Sequence, residues 1–366
     1  MIKRPKVSVI MPTYNHASFV REAIDSVLAQ ENVDFEFLIE DDGSQDNTVS
    51  VVEAVKDPRI IFFSNKQNSG ACTVTNSLIS RAEGEYIALI NSDDKWLPNK
   101  LMAQVRLLDE QPNLGAVFGR ASFIDVQSNV IPNEDLPFGS IFEQPNRSSA
   151  LWLRHFFQYG NCLCHPTIMI RKECYHKLGA YNNRFRQLPD FEMWVRLLKH
   201  YDIHIIDEVL IQFRIMPGEN ASSQTEANHS RTLNEHFLIA NQFFNEINKK
   251  LFIEGFSDWL IIKEVPTEYH FEIEKVLLLF VDNQWLQAPY QMVGLLKLYQ
   301  LLNDTKYQSI LAADYGINDL WFQSKMSEQR TLMPCPPPHV PQVKVEPIFE
   351  ERFRQKLHNI FKRKLL

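Results

Sequence analysis

The stretch Glu85-Tyr86-Ile87-Ala88-Leu89-Ile90-Asn91-Ser92-Asp93-Asp94-Lys95-Trp96 decides the fold. Tyr86 to Ile90 are apolar without alternation, the pattern of a strand buried on both faces of a parallel sheet. Four oxygen-bearing residues, Asn91 to Asp94, follow at once, two of them adjacent carboxylates, and Pro98 opens a helical pattern. Ligands of open α/β sheets bind in the crevice beyond the carboxyl ends of the strands, where this pair falls. Two adjacent carboxylates suit a hard divalent cation, Mg²⁺ or Mn²⁺, completed by substrate phosphates and water. A solvated turn, with one aspartate capping the next helix, is the plainer reading of the same residues.

Toward the N-terminus, apolar runs alternate with helical patterns from Val7 to Trp96, the signature of βαβ units. Strands are predicted at Val7 to Met11, Phe35 to Ile39 and Arg59 to Phe63. Ser18 and Asp46 are placed to cap the first two helices, and a third runs from Asn68-Ser69-Gly70 to about Ala82. Ligand-capable residues therefore follow strand one (Thr13, Tyr14, Asn15), strand two (Asp41, Asp42) and strand four (Asp93, Asp94). Three such ends on one sheet edge describe a binding crevice. For Asp41 and Asp42 the turn itself is the competing role, with Gly43 supplying a positive φ. For Tyr14 it is a rim aromatic.

The chain has 366 residues, 45% apolar and 23% charged, an ordinary globular balance. A net charge of −7 argues against a nucleic-acid binder. Five scattered cysteines point to a reducing compartment. The apolar run after Lys3, Arg4 and Lys6 is cut by Pro12, too early for a signal peptide, and no run is long enough for a membrane span. The expected location is the cytoplasm.

Val7-Ser-Val-Ile-Met-Pro-Thr-Tyr-Asn, Ile39-Glu-Asp-Asp-Gly-Ser and Gly84-Glu-Tyr-Ile-Ala-Leu-Ile-Asn-Ser-Asp-Asp, in that order and spacing, resemble family 2 of the inverting, nucleotide-sugar-dependent glycosyltransferases. The resemblance implies an α/β fold of GT-A type, a Rossmann-like, mostly parallel sheet. It also implies a donor site of Pro12, Thr13, Tyr14, Asp42, Asn68, Gly70, Asn76 and Asp93, with Tyr14 bordering uracil and Asp42 accepting from the base. Asp93 and Asp94 would face the ribose and the diphosphate-bound Mn²⁺ or Mg²⁺, with Asp94 the direct ligand. Such a cation offsets the charge that grows on a departing nucleoside diphosphate.

A fifth strand is expected at Gly115 to Gly119, and a loop-rich insertion from Ser122 to Arg147. Cys162, Cys164, His165, Cys174 and His176 lack the paired spacing of a zinc site. In Leu188-Pro189-Asp190-Phe191-Glu192-Met193-Trp194, Asp190 starts an apolar helical face and could be only its N-cap. The family resemblance makes Asp190 the general base, with Glu192 one turn away as the fallback. Phe213-Arg214-Ile215-Met216 departs from the family, which often has a metal-contacting histidine at the Met216 position. A thioether is a poor ligand for Mg²⁺ or Mn²⁺, leaving water or Glu219 to substitute. Thr75 is a second departure, where the family often has arginine.

The resemblance ends near Glu226, so residues 1–225 are assigned to the catalytic domain. Leu233, Phe237, Ala240, Phe244, Ile247 and Leu251 form a heptad-like stripe that opens a C-terminal helical appendage, residues 226–332. A proline-rich linker, 333–347, leads to a basic amphipathic helix, 348–366, with a local charge of +4. That helix reads as an anchor to an anionic membrane surface, or as a helix docked on the protein itself. The expectation is an inverting hexosyl- or N-acetylhexosaminyl-transferase at the inner face of the cell membrane. Its donor would be a nucleoside-diphosphate sugar, UDP favoured, and its acceptor a saccharide or lipid-linked saccharide of bacterial cell-surface polysaccharide or glycolipid assembly. A catalytically silent scaffold of the same fold is the alternative. A sugar-phosphate nucleotidyltransferase lacks its Gly-rich loop, since Pro12-Thr13-Tyr14 stands there.

Overall fold

The computed structural model describes residues 4–216, 218, 225–283 and 286–328. Strands β1 (Val7–Thr13), β2 (Phe35–Asp41), β3 (Ile60–Ser64) and β4 (Tyr86–Leu89) pair in parallel in the order β3-β2-β1-β4. Helices α1 (Val20–Leu28), α2 (Thr48–Glu53) and α3 (Ala71–Arg81) make the crossovers. The chain steps outward from β1 to β3 and then returns to the other side of β1, so the switch point lies between β1 and β4.

Alternate residues of each strand enter different cores. Val7, Val9 and Met11 of β1, with Tyr86 and Ala88 of β4, pack with α1; Ile10, Ile87 and Leu89 pack on the opposite side with α3. Every residue of β4 is buried, as the unbroken apolar run requires.

Beyond β4 the sheet is mixed. Strand β5 (Lys95–Trp96) precedes α4 (Lys100–Glu110), which begins two residues after Pro98 because Asn99 first takes a left-handed turn at φ 67°. Strand β6 (Leu114–Ile124) extends well past the expected Gly119 and pairs over its length with the parallel β9 (Asp202–Arg214). Between β4 and β6 lies β8 (Met169–Arg171), antiparallel to both, and β5 pairs antiparallel with β9. The expected loop therefore contains the end of β6, β7 (Val130–Ile131) and a short 3₁₀ turn. Neither Ser18 nor Asp190 is an N-cap: Phe19 and Leu188 hold those positions.

Helices α5 (Ser149–Tyr159), α6 (Lys172–Leu178) and α7 (Pro189–Leu197) cover one face of the sheet. The heptad-like stripe is broken: Leu233, Phe237 and Ala240 lie on α8 (Glu226–Gln242), Phe244 and Ile247 in the turn that follows and Leu251 on α9 (Lys249–Phe256), and α10 (Glu268–Leu277) and α11 (Gln287–Leu302) follow. Phe157 of α5 meets Phe243, Phe244, Phe256 and Tyr290 at centroid distances of 4.7–5.8 Å, so the appendage shares one core with the sheet. Helices α12 (Thr305–Ile310) and α13 (Asp319–Glu328) close a smaller core with α10 and α11. The proline-rich linker and the basic terminal helix lie outside the described residues, as does Glu219.

Candidate active site

The three strand ends marked in the sequence meet at the switch point. Asn15, at φ 53°, donates its backbone N–H to Ser44 Oγ and accepts from Gln45 N, stitching the loop after β1 to the loop after β2. His16 Nδ1 lies 2.7 Å from Ser92 Oγ, which joins the same loop to the end of β4. Nothing in the sequence singled out His16, because its partner is 76 residues away.

The two aspartates at the end of β2 do different work. Asp41 is fully buried and accepts from Gly43 N, Ser44 N and Ser44 Oγ, closing the turn in which Gly43 takes φ +76°. Asp42 reaches across to the loop before α3: Oδ1 accepts from Ser69 N at 2.7 Å and Ser69 Oγ at 2.8 Å, and Oδ2 from Gly70 N at 2.8 Å. That loop is thereby held beside the crevice, with Asn68 exposed and Gly70 half-buried at φ +94°. Asn76 is turned to other partners, its amide bridging Tyr181 N, Tyr181 O and Asn183 Oδ1. Tyr14 stands 40% exposed, Pro12 is half-buried, and the buried Thr13 hydroxyl has no hydrogen-bond partner among the described residues.

Asp93 and Asp94 are both buried but not equivalent. Asp94 Oδ1 accepts from Arg214 N at 2.9 Å and Oδ2 from Asn91 Nδ2 at 3.0 Å, so both oxygens face inward. The Asp93 carboxylate receives no hydrogen bond from another described residue, while its backbone carbonyl accepts from Arg214 Nε at 2.7 Å. Burial raises the carboxyl pKa of both, and for Asp94 the Asp93 charge adds to it. Arg214 is itself buried and ion-paired with Glu22 at 2.7 Å, so β9 clamps the end of β4. Met216, two residues on, is buried.

Asp190 is the second residue of α7, and its carboxylate is held at both oxygens: Oδ1 accepts from Phe191 N at 2.8 Å, Oδ2 from Asn161 Nδ2 at 2.7 Å. Asn161, another residue the sequence did not mark, is fixed in turn by Leu163 N. Cys164 is buried on the segment leading to β8; burial raises its thiol pKa, and the Asp94 and Asp190 charges add to the shift. Glu192 is committed elsewhere, pairing with Arg196 at 2.8 Å on the half-buried side of α7. The arrangement combines a buried carboxylate pair at the switch point with a separate, half-buried carboxylate fixed at the start of α7. The pair has the chemistry to bind a cationic group, and the carboxylate on α7 the chemistry to accept a proton.

Residues 8–179 match the family described as Glycosyl transferase family 2. An uncharacterized glycosyltransferase of Methanocaldococcus jannaschii is 27% identical over 72% of this chain and 91% of its own. A Bacillus subtilis protein named for teichuronic acid biosynthesis, TuaG, is 28% identical over 61% of this chain and 84% of its own. An uncharacterized Rickettsia felis glycosyltransferase is 28% identical over 86% of this chain, which spans about half (49%) of that longer protein. In fold, the chain is similar to residues 1–349 of S. aureus TarS, solved with UDP-GlcNAc. The TM-score is 0.54 at 19% identity, over 88% of this chain and 92% of that one. The mixed, mostly parallel sheet with C-terminal helices is a GT-A fold.

Proposed function

We propose that this chain, a glycosyltransferase carrying a family 2 domain, moves a sugar from a UDP-linked donor to an acceptor hydroxyl with inversion at the anomeric carbon. What supports the reading is the buried carboxylate pair past β4, at the β1/β4 switch point, together with the doubly held Asp190 carboxylate at the start of α7, which we assign to opposite sides of one donor–acceptor crevice. UDP is chosen because TarS, of similar fold, was solved with UDP-GlcNAc, and because Tyr14 offers an exposed ring at the rim. TuaG, named for teichuronic acid biosynthesis, supports an acceptor in cell-surface polysaccharide.

A divalent cation fits at Asp93. The carboxylate is buried, desolvation works against its charge, and no described residue donates to it from outside its own backbone. Asp94, with both oxygens engaged, shapes the site from behind, which exchanges the roles the sequence gave the pair. Among the described residues no three His, Cys, Asp or Glu gather to hold a metal, so diphosphate oxygens and water would complete the coordination. When bound, the cation would offset the charge that develops on the diphosphate.

Asp190 accepts the proton of the acceptor hydroxyl as that oxygen bonds to the anomeric carbon and the bond to the diphosphate breaks. Asn161 and Phe191 N keep its carboxylate aimed during the transfer. No helix among the described residues is long and apolar enough to cross a membrane. We place the enzyme at the inner membrane face, with residues 348–366 as a surface anchor and a lipid-linked saccharide as acceptor.

Asp190→Asn tests the reading. It is expected to keep UDP binding and the melting temperature while losing on the order of 10²-fold in transfer. Near-normal turnover per folded molecule would remove Asp190 from the role of base.

A further inference from the structure

Helix α8 lies beyond the matched family segment, yet it is bonded to the chain that presents Asp190. The carboxylate of Glu235, 4% exposed, accepts three consecutive backbone N–H groups. Oε1 takes Arg186 N at 2.8 Å, and Oε2 takes Gln187 N at 2.9 Å and Leu188 N at 2.7 Å. Leu188 is the N-cap of α7, Pro189 opens the helix and Asp190 follows. Two neighbours on α8 hold the same segment. Asn228 Oδ1, one heptad earlier, accepts from Gln187 Nε2 at 3.1 Å, and the His236 ring packs on Phe191 at 5.4 Å.

We propose that Glu235 is a positioning residue for the transfer reaction, acting through Leu188 on Asp190. The proposal rests on the reading of Asp190 as the base. All the hydrogen bonds of the Glu235 carboxylate run to the turn before α7 and none to its own helical region, so an apolar residue could serve the packing of α8 alone. A buried carboxylate accepting three N–H groups makes strong, directional bonds, and losing one leaves a buried donor unsatisfied. The Arg186–Leu188 turn is then free to shift, and the Asp190 carboxylate with it. Small displacements of a reacting group are costly to turnover but leave donor binding at the β1/β4 crevice untouched.

The test uses the full chain, assayed well below its melting temperature. Glu235→Gln keeps the shape but loses the charge and one acceptor oxygen. It is expected to lower kcat by about tenfold or more, with KM for the donor and affinity for UDP within about twofold of wild type. Because Glu235→Gln could fail to fold, Asn228→Ala provides a milder variant, with a several-fold loss in kcat and the same unchanged donor KM. In an Asp190→Asn background Glu235→Gln is expected to add no further loss, since the base it positions is gone. Wild-type kcat per folded molecule in Glu235→Gln, or in Asn228→Ala should only that variant fold, with Asp190→Asn inactive, would overturn the positioning role alone. Near-normal turnover in Asp190→Asn itself would overturn both readings.

Discussion

Asp93 and Asp94 are chemically identical neighbours with opposite surroundings. Asp94 accepts two hydrogen bonds and ties β9 to the end of β4, whereas among the described residues the buried Asp93 carboxylate has only its own backbone N–H as donor. A buried charge so poorly compensated is a cost to the metal-free fold and an advantage to cation binding. Asp93→Asn is therefore expected to raise the melting temperature of the metal-free protein by about 2 °C, the scale of relieving one buried, poorly hydrogen-bonded polar group. The same change is expected to abolish Mn²⁺-dependent binding of UDP in calorimetry. Retained metal-dependent binding would move the cation away from Asp93. At this scale the sequence marked the pair and ranked Asp94 as the ligand; the hydrogen bond that ties up Asp94 comes from Arg214, 120 residues away, beyond the reach of local pattern.

Among the elements, α8 is bonded through Glu235 to the turn before Asp190 and carries an acid-sensitive group. Burial lowers the His236 pKa to about 4, and burial with the nearby Arg147 charge lowers that of His155 on α5 to about 4. A histidine depressed in the folded state binds its proton more readily when unfolded, so the stability it lends falls as pH drops from about 6.5 toward 4 and changes little below. Melting temperatures across that window are expected to decline on acidification, and His236→Leu is expected to flatten the decline. An unchanged slope in His236→Leu would assign the acid sensitivity to other groups. The element boundaries show the same division between local and distant causes. The first four strands were legible because each carries its own apolar run, while β5 and β8, two and three residues long, form only because β9, β4 and β6 lie beside them.

For the whole molecule, the appendage and the sheet share one apolar core around Phe157, so residues beyond 225 are part of the folded unit that holds Asp190. The basic segment 348–366 is proposed to bring that unit to an anionic membrane surface, each basic residue contributing about 1 kcal/mol near such a leaflet. Flotation with anionic liposomes is expected to recover the full chain and to lose the chain lacking residues 342–366. Equal recovery of both would eliminate the anchor. The sequence by itself determined the α/β class, the four parallel strands and the aspartates at their ends. Those follow from apolar runs and polar punctuation within about ten residues of each other. Only the tertiary structure decided that β8 enters antiparallel, that Arg214 and His16 lock the crevice, and that Asn161 and Glu235 hold the Asp190 segment. These contacts join residues 29 to 121 positions apart, and a hydrogen bond closed by folding leaves no periodic trace in either partner's neighbourhood.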